Sequence, residues 1–250
     1  MILSELAKPP ERTATARVAD DLARHIRQHL QPGDSLPSEA DLALQHQVSR
    51  VTVREALKTL AGRGLVDLSR GRRARVGKPS AAALGDFISA ILQYDPKGVF
   101  DLVELRLSLE VQSAALAARR ATRPSIAAIE SALQAMRDVA VDLDAQGAGS
   151  VAESLFHSAD VRFHEALALA SGNSILICIF EAMALPLQRS LFISRKGRQK
   201  RGQTCAHTIT AHERILTCVR AGDAGAAEAA MRDHLSDAIA DLRAAMSVDG

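Results

Sequence analysis

The chain has 250 residues, which is enough for two modest domains that each bury their own core. Apolar residues make up 47% and charged residues 24%, the balance of an ordinary soluble globular protein. The formal net charge of +2 is too small to indicate a partner, although residues 50–78 concentrate nine basic residues against two acidic ones.

Several protein classes can be set aside at this stage. The three cysteines are odd in number and none are spaced as CxxC, which favours reduced thiols over a disulfide framework. The start of the chain has no long apolar stretch like that of a signal peptide. The longest apolar run, residues 175–180, is far shorter than the roughly 20 residues that a membrane span requires. We therefore expect a cytoplasmic protein without a membrane partner.

The first third of the chain predicts three short helices. Apolar residues recur at every fourth position within residues 14–30, which predicts one helix, and the "QPGDSLP" segment at 31–37 ends it. Ser38 and Asp41 have the spacing of a capping box and predict a short second helix. Ser49 is a good N-cap for a third helix, which the glycines of "GRG" end.

A change of pattern follows the third helix. Alternating residues around Arg70-Gly71-Arg72 predict a β-hairpin within residues 65–78. The Pro-, Ser- and Ala-rich segment 79–85 is typical of a linker. We therefore expect one domain over residues 1–78 and a second over residues 86–250.

The second domain is predicted to contain six or seven helices and no strand. Six of them can be placed at about residues 98–121, 124–145, 151–170, 174–194, 204–220 and 224–246. Pro186 is expected to kink one helix, and Asp223 is expected to cap another. The basic segment 194–203 is predicted to be a polar loop. The predicted fold is thus mostly α: an N-terminal winged helix-turn-helix followed by an all-α helical bundle.

Three helices followed by a basic hairpin is the element order of a winged helix-turn-helix, whose recognition helix enters the major groove of DNA. Arginine can bond guanine in two places at once or hold a phosphate. The candidate contacts on the third helix are Ser49, Arg50, Thr52 and Arg54, and those on the hairpin are Arg70, Arg72, Arg73 and Arg75. A solvated charged face is the ordinary explanation for any one of these arginines, but their order along the chain favours DNA binding.

A second group of residues suggests a metal site in the helical domain. Asp160 and His164 lie four residues apart, which places them on one face of a helix, while His212 and His234 lie within two later helices. One carboxylate and three imidazoles suit a borderline divalent ion. Helical histidines are more often ordinary core or surface residues, and the following are interpreted in that way: His25, His29, His46, His157 and His207.

Residues 14–77 resemble the GntR family of bacterial repressors, above all in "PGDSLPSE" and "VSRVTVREAL". The resemblance implies that the third-helix residues contact operator DNA and that the hairpin tip at Arg70 and Gly71 reaches the minor groove. Two departures are visible. Ala40 stands where many members carry a DNA-contacting arginine, and "SRGRRARV" is more cationic than the commoner "GRGAFV".

Residues 86–245 resemble the effector domain of the FadR-type subfamily, called FCD, in "VELRLSLEVQSAALAARRAT", "DVRFHEALALASGN" and "AHERILTCVRAGDAGAAEAAMRDHL". The resemblance implies a metal site at Asp160, His164, His212 and His234. It also implies a small carboxylate effector with Arg106 as its salt-bridge partner and Asn173 as a polar wall. A plain ion pair between Arg106 and Glu110 is the alternative.

The expected function is a metabolite-responsive transcriptional regulator, in the family habit a homodimeric repressor that binds a palindromic operator. The ligand set does not distinguish Zn, Ni, Mn and Fe. Two alternatives remain at this stage. One is a DNA-binding protein whose metal is purely structural and which needs no effector. The other is a metal-dependent hydrolase with Glu165 or Glu213 as base, although neither glutamate lies in a complete HExxH motif.

Overall fold

The structure is a computed structural model of the chain. It describes residues 13–78, 80–95, 97–146 and 149–247. The chain divides between Ala83 and Leu84 into two compact units. The predicted mostly-α fold is confirmed, since the described residues form ten helices and one two-stranded sheet.

The N-terminal unit has the element order α–α–α–β–β. Its elements are α1 (Ala14–His29), α2 (Glu39–Gln45), α3 (Arg50–Gly62), β1 (Val66–Asp67) and β2 (Arg75–Val76). Ser38 and Asp41 form the predicted capping box at α2, and Ser49 caps α3. The two strands are antiparallel, with Val66 opposite Val76. The backbone at residues 33–36 adds hydrogen bonds to the outer side of β2.

The C-terminal unit is built from helices alone in its described residues. They are α4 (Ala82–Tyr94), α5 (Gly98–Arg120), α6 (Arg123–Gln146), α7 (Val151–Ala170), α8 (Ser174–Lys200), α9 (Cys205–Ala221) and α10 (Ala224–Met246). Helix α7 is central: it packs against α5, α6 and α8 and buries side chains on nearly every side. Side chains that point from α7 into the bundle are therefore withdrawn from water.

Helix α4 was not predicted, although the sequence carries a signal for it. Leu84, Phe87, Ile88, Ile91 and Leu92 recur at the three- and four-residue spacing of a helical stripe. Leu92 is buried, whereas Phe87 and Ile91 are exposed, so the stripe is only partly covered.

The predicted loop at residues 194–203 is wrong, because α8 continues through most of it. Its basic side chains find acidic partners on other helices. Arg195 pairs with Glu153 of α7 at 2.8 Å, and Arg198 pairs with Asp241 of α10 at 3.0 Å. The segment looks like a polar loop in the sequence because these partners lie more than 40 residues away along the chain.

Among the described helices, α8 alone is long and apolar enough to cross a membrane by length and composition. Its apolar side chains have another explanation in this structure. Phe180, Met183 and Leu187 are buried in a core cluster shared with α5, α7 and α10. Core packing within the helical unit therefore accounts for these buried apolar side chains of α8.

Helices α8 and α10 approach each other closely at Gly197. A Cβ atom built there would lie 1.7 Å from the carbonyl oxygen of Asp241 and 2.9 Å from the backbone nitrogen of Ala245. Backbone atoms cannot turn away as a flexible side chain can. The absence of a side chain at Gly197 is therefore a condition for the pairing of Arg198 with Asp241.

We expect Gly197→Ala to lower the free energy of unfolding by about 2 kcal/mol or more, because the added methyl group forces α8 and α10 apart. Urea denaturation followed by circular dichroism measures the change. Gly225→Ala is the matched control, since its Cβ would meet nothing closer than 3.7 Å. The control should be neutral or slightly stabilising. Equal stability of the two variants would contradict the close approach.

Candidate nucleic-acid interface and metal centre

The start of α3 presents polar and basic side chains to solvent. Ser49 caps the helix by accepting a hydrogen bond from the Thr52 backbone nitrogen at 3.1 Å. Arg50 and Arg54 are exposed, and Thr52 is half-buried. The apolar side of α3, which includes Val53, is buried in the core of the N-terminal unit. One face of α3 is thus held by core packing, and the opposite face is exposed to solvent.

Arg54 is held in place by an acidic residue of α2. Its guanidinium donates to both carboxylate oxygens of Glu39, with an Nη2–Oε2 distance of 2.7 Å. The hydrogen bond from Arg54 lowers the pKa of Glu39. Both side chains are well exposed, so the pair contributes little to stability. Its main effect is to orient the arginine fork at the surface.

The hairpin supplies further cations beside α3. Gly71 lies at the tip with φ of +75°, a left-handed conformation that favours glycine. Arg70 and Arg72 flank it and are exposed. A surface groove is lined by Arg54 together with residues 70–72. The structure therefore brings the candidate contacts of the hairpin and Arg54 of α3 to one basic surface.

The candidate metal ligands converge inside the helical unit from three helices. Asp160 and His164 lie on α7, His212 on α9 and His234 on α10. All four side chains are buried. The three imidazole rings have centroid separations of 4.6 to 5.3 Å, and one nitrogen of each lies within 4.8 Å of the others. This convergence is the geometry that a metal ion requires of its ligands.

Hydrogen bonding assigns the protons of two of these rings. The Nδ1 atom of His212 lies 2.7 Å from the backbone oxygen of Thr208, and because a carbonyl oxygen only accepts, Nδ1 carries the proton. The Nδ1 atom of His164 touches Oε2 of Glu110, a contact that needs a proton between the two atoms. When the two rings are neutral, neither Nε2 atom carries a proton, yet the two atoms lie 3.3 Å apart. Two facing lone pairs are the arrangement that a cation would stabilise.

The aspartate completes an electron-rich cluster. Oδ1 of Asp160 lies 3.2 Å from Nε2 of His212 and has no hydrogen-bond partner among the described residues. Burial raises the pKa of Asp160, whereas a hydrogen bond and positive charge from the surrounding histidines lower it well below its usual range, so the ionised carboxylate needs a cation, either a proton or a metal ion, among these rings. Burial and the neighbouring rings hold the pKa of His234 well below its ordinary value. An ionised carboxylate and neutral imidazoles are the forms that bind metals.

Arg106 lies beside this cluster in a buried ion pair. Its Nε donates to Oε1 of Glu110 at 2.5 Å, and its Nη2 lies 3.3 Å from Nε2 of His164. Burial alone would raise the pKa of Glu110, but Arg106 and His164 lower it to about 2. The pair with Glu110 thus exists, but it is buried and joined to His164 rather than an isolated surface contact.

A small cavity of about 20 Å³ borders the histidine cluster. Its polar lining residues are Arg106, His157, Asp160, Ser194, Arg198, Thr208 and His234. His157 was interpreted from the sequence as an ordinary histidine. A signal for it existed, since it lies three residues before Asp160 and seven before His164, on the same face of α7.

Asn173 lies elsewhere. Its Oδ1 caps α8 by accepting from the backbone nitrogens of Ile175 and Leu176, and it is not among the residues that line the cavity. Neither Glu165 nor Glu213 lines the cavity, and Glu213 pairs with Arg137 at the surface.

Comparison with known families gives two matches. Residues 14–76 match the bacterial regulatory proteins of the gntR family, and residues 101–237 match the FCD domain. The FCD match alone spans more than half of the chain, and the two matches together cover most of both units.

Named relatives agree with these matches. The chain is 34% identical to the HTH-type transcriptional regulator LutR of Bacillus subtilis over 83% of this chain and 91% of LutR. It is 31% identical to the putative L-lactate dehydrogenase operon regulatory protein of Escherichia coli, over 88% and 84%. It is 32% identical to the transcriptional repressor NanR of Salmonella newport, over 88% and 81%.

A solved structure shares the fold. The GntR protein of Streptococcus agalactiae superposes with a TM-score of 0.68, covering 89% of this chain and 97% of that one at 24% identity. At this identity the likeness concerns the fold alone.

We expect Glu110→Ala to lower the free energy of unfolding by about 3–5 kcal/mol, because it leaves the buried Arg106 charge without its carboxylate. Glu213→Ala removes the acidic partner of an exposed Arg–Glu pair and serves as the control. The control should cost about 0–1 kcal/mol. Urea denaturation compares the two, and similar losses would contradict the buried ion pair.

Proposed function

The chain belongs to the gntR family of bacterial regulatory proteins, and from that premise we propose that a small carboxylate, bound beside a divalent metal in the helical unit, controls its binding to DNA. The family makes the chain a DNA-binding transcriptional regulator rather than an enzyme. That membership sets aside the hydrolase alternative. Relatives named as a regulator and as a repressor support repression as its mode of action.

The observation that carries the metal proposal is the facing pair of bare Nε2 atoms of His164 and His212. Asp160 and His234 would complete the ligand set. Each of the two assigned rings has its Nδ1 proton fixed by an outer partner, as is usual for metal-ligating histidines. Three imidazoles and one carboxylate suit Zn, Ni, Mn or Fe. When bound, the ion would supply positive charge and coordination positions for an acidic ligand.

Arg106 supports a carboxylate as the effector. Its guanidinium already contacts His164, so it would address a ligand from the same side as the ion. A buried guanidinium with a planar fork binds a carboxylate in two places. The name of the E. coli relative refers to an L-lactate dehydrogenase operon, and L-lactate is a small carboxylate.

The basic surface of α3 and the hairpin is the proposed operator contact. Ser49, Arg50, Thr52 and Arg54 would lie in the major groove, with Arg70, Gly71 and Arg72 at the neighbouring minor groove. We propose a homodimer that reads a palindromic operator in the cytoplasm. The exposed apolar side chains of α4 support association with a second copy, since exposed apolar patches often mark interfaces.

Arg54→Ala is expected to weaken operator binding by about tenfold or more, because a bidentate base contact contributes about 1–3 kcal/mol. The operator is first selected from a random duplex pool with the natural chain, and affinities are then measured by fluorescence anisotropy. Arg24→Ala is the control, since Arg24 is an exposed arginine of α1. The control should bind within twofold of the natural chain. Unchanged binding by the Arg54 variant at moderate salt would contradict the assignment of α3 as the recognition helix.

His212→Ala is expected to lose the metal and the effector response while keeping DNA binding without effector. Elemental analysis measures metal content, and anisotropy with a carboxylate panel measures the response. His207→Ala removes an exposed histidine of the same helix and should change neither. Chelation of the natural chain should reproduce the His212 phenotype. A metal-loaded protein whose DNA binding no carboxylate alters would instead support the ligand-independent alternative.

A further inference from the structure

The cavity beside the histidine cluster is also lined by a second set of polar groups. These are His157 of α7, Ser194 and Arg198 of α8, and Thr208 of α9. Only Arg106, Asp160 and His234 of its polar lining belong to the proposed metal and effector contacts. The second set therefore lines the cavity without a direct contact in that function.

His157 is the member of this second set that has a buried polar atom without a hydrogen-bond partner in the part of the chain that the structure describes. Its side chain is 3% exposed, and its Nδ1 atom has no hydrogen-bond partner among the described residues. Phe192 packs edge-to-face against the ring with a centroid distance of 4.4 Å, which fixes the orientation of the ring. A buried polar atom without a partner is costly, which indicates that a bound group satisfies it.

Arg198 shares its buried carboxylate partner with a second arginine. Its guanidinium bonds Asp241 and the hydroxyl of Thr208. Arg201 bonds the other oxygen of the same Asp241 carboxylate at 2.6 Å and also pairs with the exposed Asp237 at 3.4 Å. Arg198 can therefore turn to another anion while Arg201 stays on Asp241.

The cavity is so small that a lining side chain must move when a ligand binds, and Arg198 can move at the lowest cost. A volume of about 20 Å³ holds a single water molecule, so a larger ligand must displace a lining side chain. If Arg198 turns away from Asp241, Arg201 still neutralises that carboxylate. Arg106 cannot be released in the same way. Its departure would leave the buried Glu110 carboxylate with His164 as its remaining partner.

We propose that Arg198, with His157 and Ser194, binds a second acidic group of the effector, so that the effector is a short dicarboxylate rather than a monocarboxylate. This inference rests on the proposed function, in which the first carboxylate lies at the metal and Arg106. The planar fork of Arg198 suits a carboxylate, and His157 and Ser194 supply further hydrogen bonds.

Isothermal titration calorimetry of the full chain loaded with Zn²⁺ tests the proposal with acids of matched length. The three-carbon set is propionate, L-lactate and malonate, and the four-carbon set is butyrate, 3-hydroxybutyrate and succinate. We expect the diacid of at least one set to bind tenfold or more tightly than its monoacid and its hydroxy acid. In Arg198→Gln the preference should fall below threefold, with the affinity for the monoacid unchanged.

Arg189→Gln is the matched control. It removes an exposed arginine of the same helix that does not line the cavity. The control should keep the tenfold preference, whereas Arg201→Gln should reduce it, because Arg201 then no longer neutralises Asp241 when Arg198 turns away. Thermal melting and zinc content establish that these variants remain folded and loaded, and Arg198→Lys should restore part of the preference.

The outcomes separate this inference from the function on which it rests. Zinc-dependent binding of monoacids or hydroxy acids as tight as that of diacids would overturn the second acidic group and leave the proposed function in place. A diacid preference that persists in Arg198→Gln would overturn the role of Arg198. Zinc-loaded protein that binds none of the six acids would overturn both proposals.

Discussion

The helical unit depends on the balance of charges that lie inside its core. Arg106, Glu110 and Asp160 are almost fully buried, and removing such groups from water costs several kcal/mol for each ion. Glu110 meets much of this cost by bonding Arg106 on one side and His164 on the other. Apolar residues of similar volume would fill the same space more cheaply. The retention of charge here is the clearest physical sign that the centre of the bundle is a binding site.

The contacts around this site join the proposed metal ligands to the proposed ligand contacts. Glu110 bonds Arg106 and touches His164, so one carboxylate orients both. Thr208 has the same double role on α9, because its backbone oxygen accepts from His212 while its hydroxyl bonds Arg198. A ligand that shifts either arginine therefore acts on groups that orient the histidines. Such shared groups give metal and effector binding a route to mutual dependence.

Local features of this chain could be predicted from sequence, whereas contacts between distant elements could not. The caps at Ser38 and Ser49 involve residues three positions apart, and the sequence displays them directly. The spacing of Asp160 and His164 likewise places both on one helix face. Nothing in the spacing shows that His212 and His234 meet them, so that part came from family resemblance. The acidic partners of Arg195 and Arg198 lie on other helices. Because the sequence does not show these pairs, the basic segment looks like a loop, and α8 is predicted to end before it.

The two units use the same chemical pair, arginine with a carboxylate, in opposite settings. Arg54 and Glu39 are exposed, so in the proposed operator complex exchanging Glu39 for a base edge of DNA would cost little, and binding would remain reversible. Arg106 and Glu110 are buried, so a ligand at that end adds to the pair rather than replacing it. Arg198 lies between these two cases: it is largely buried, but its partner Asp241 would still be paired with Arg201 if Arg198 turned away. In the proposed complex a neutral ligand would displace Arg198 without giving it a new partner, and the desolvation cost of that guanidinium would favour acids over neutral ligands.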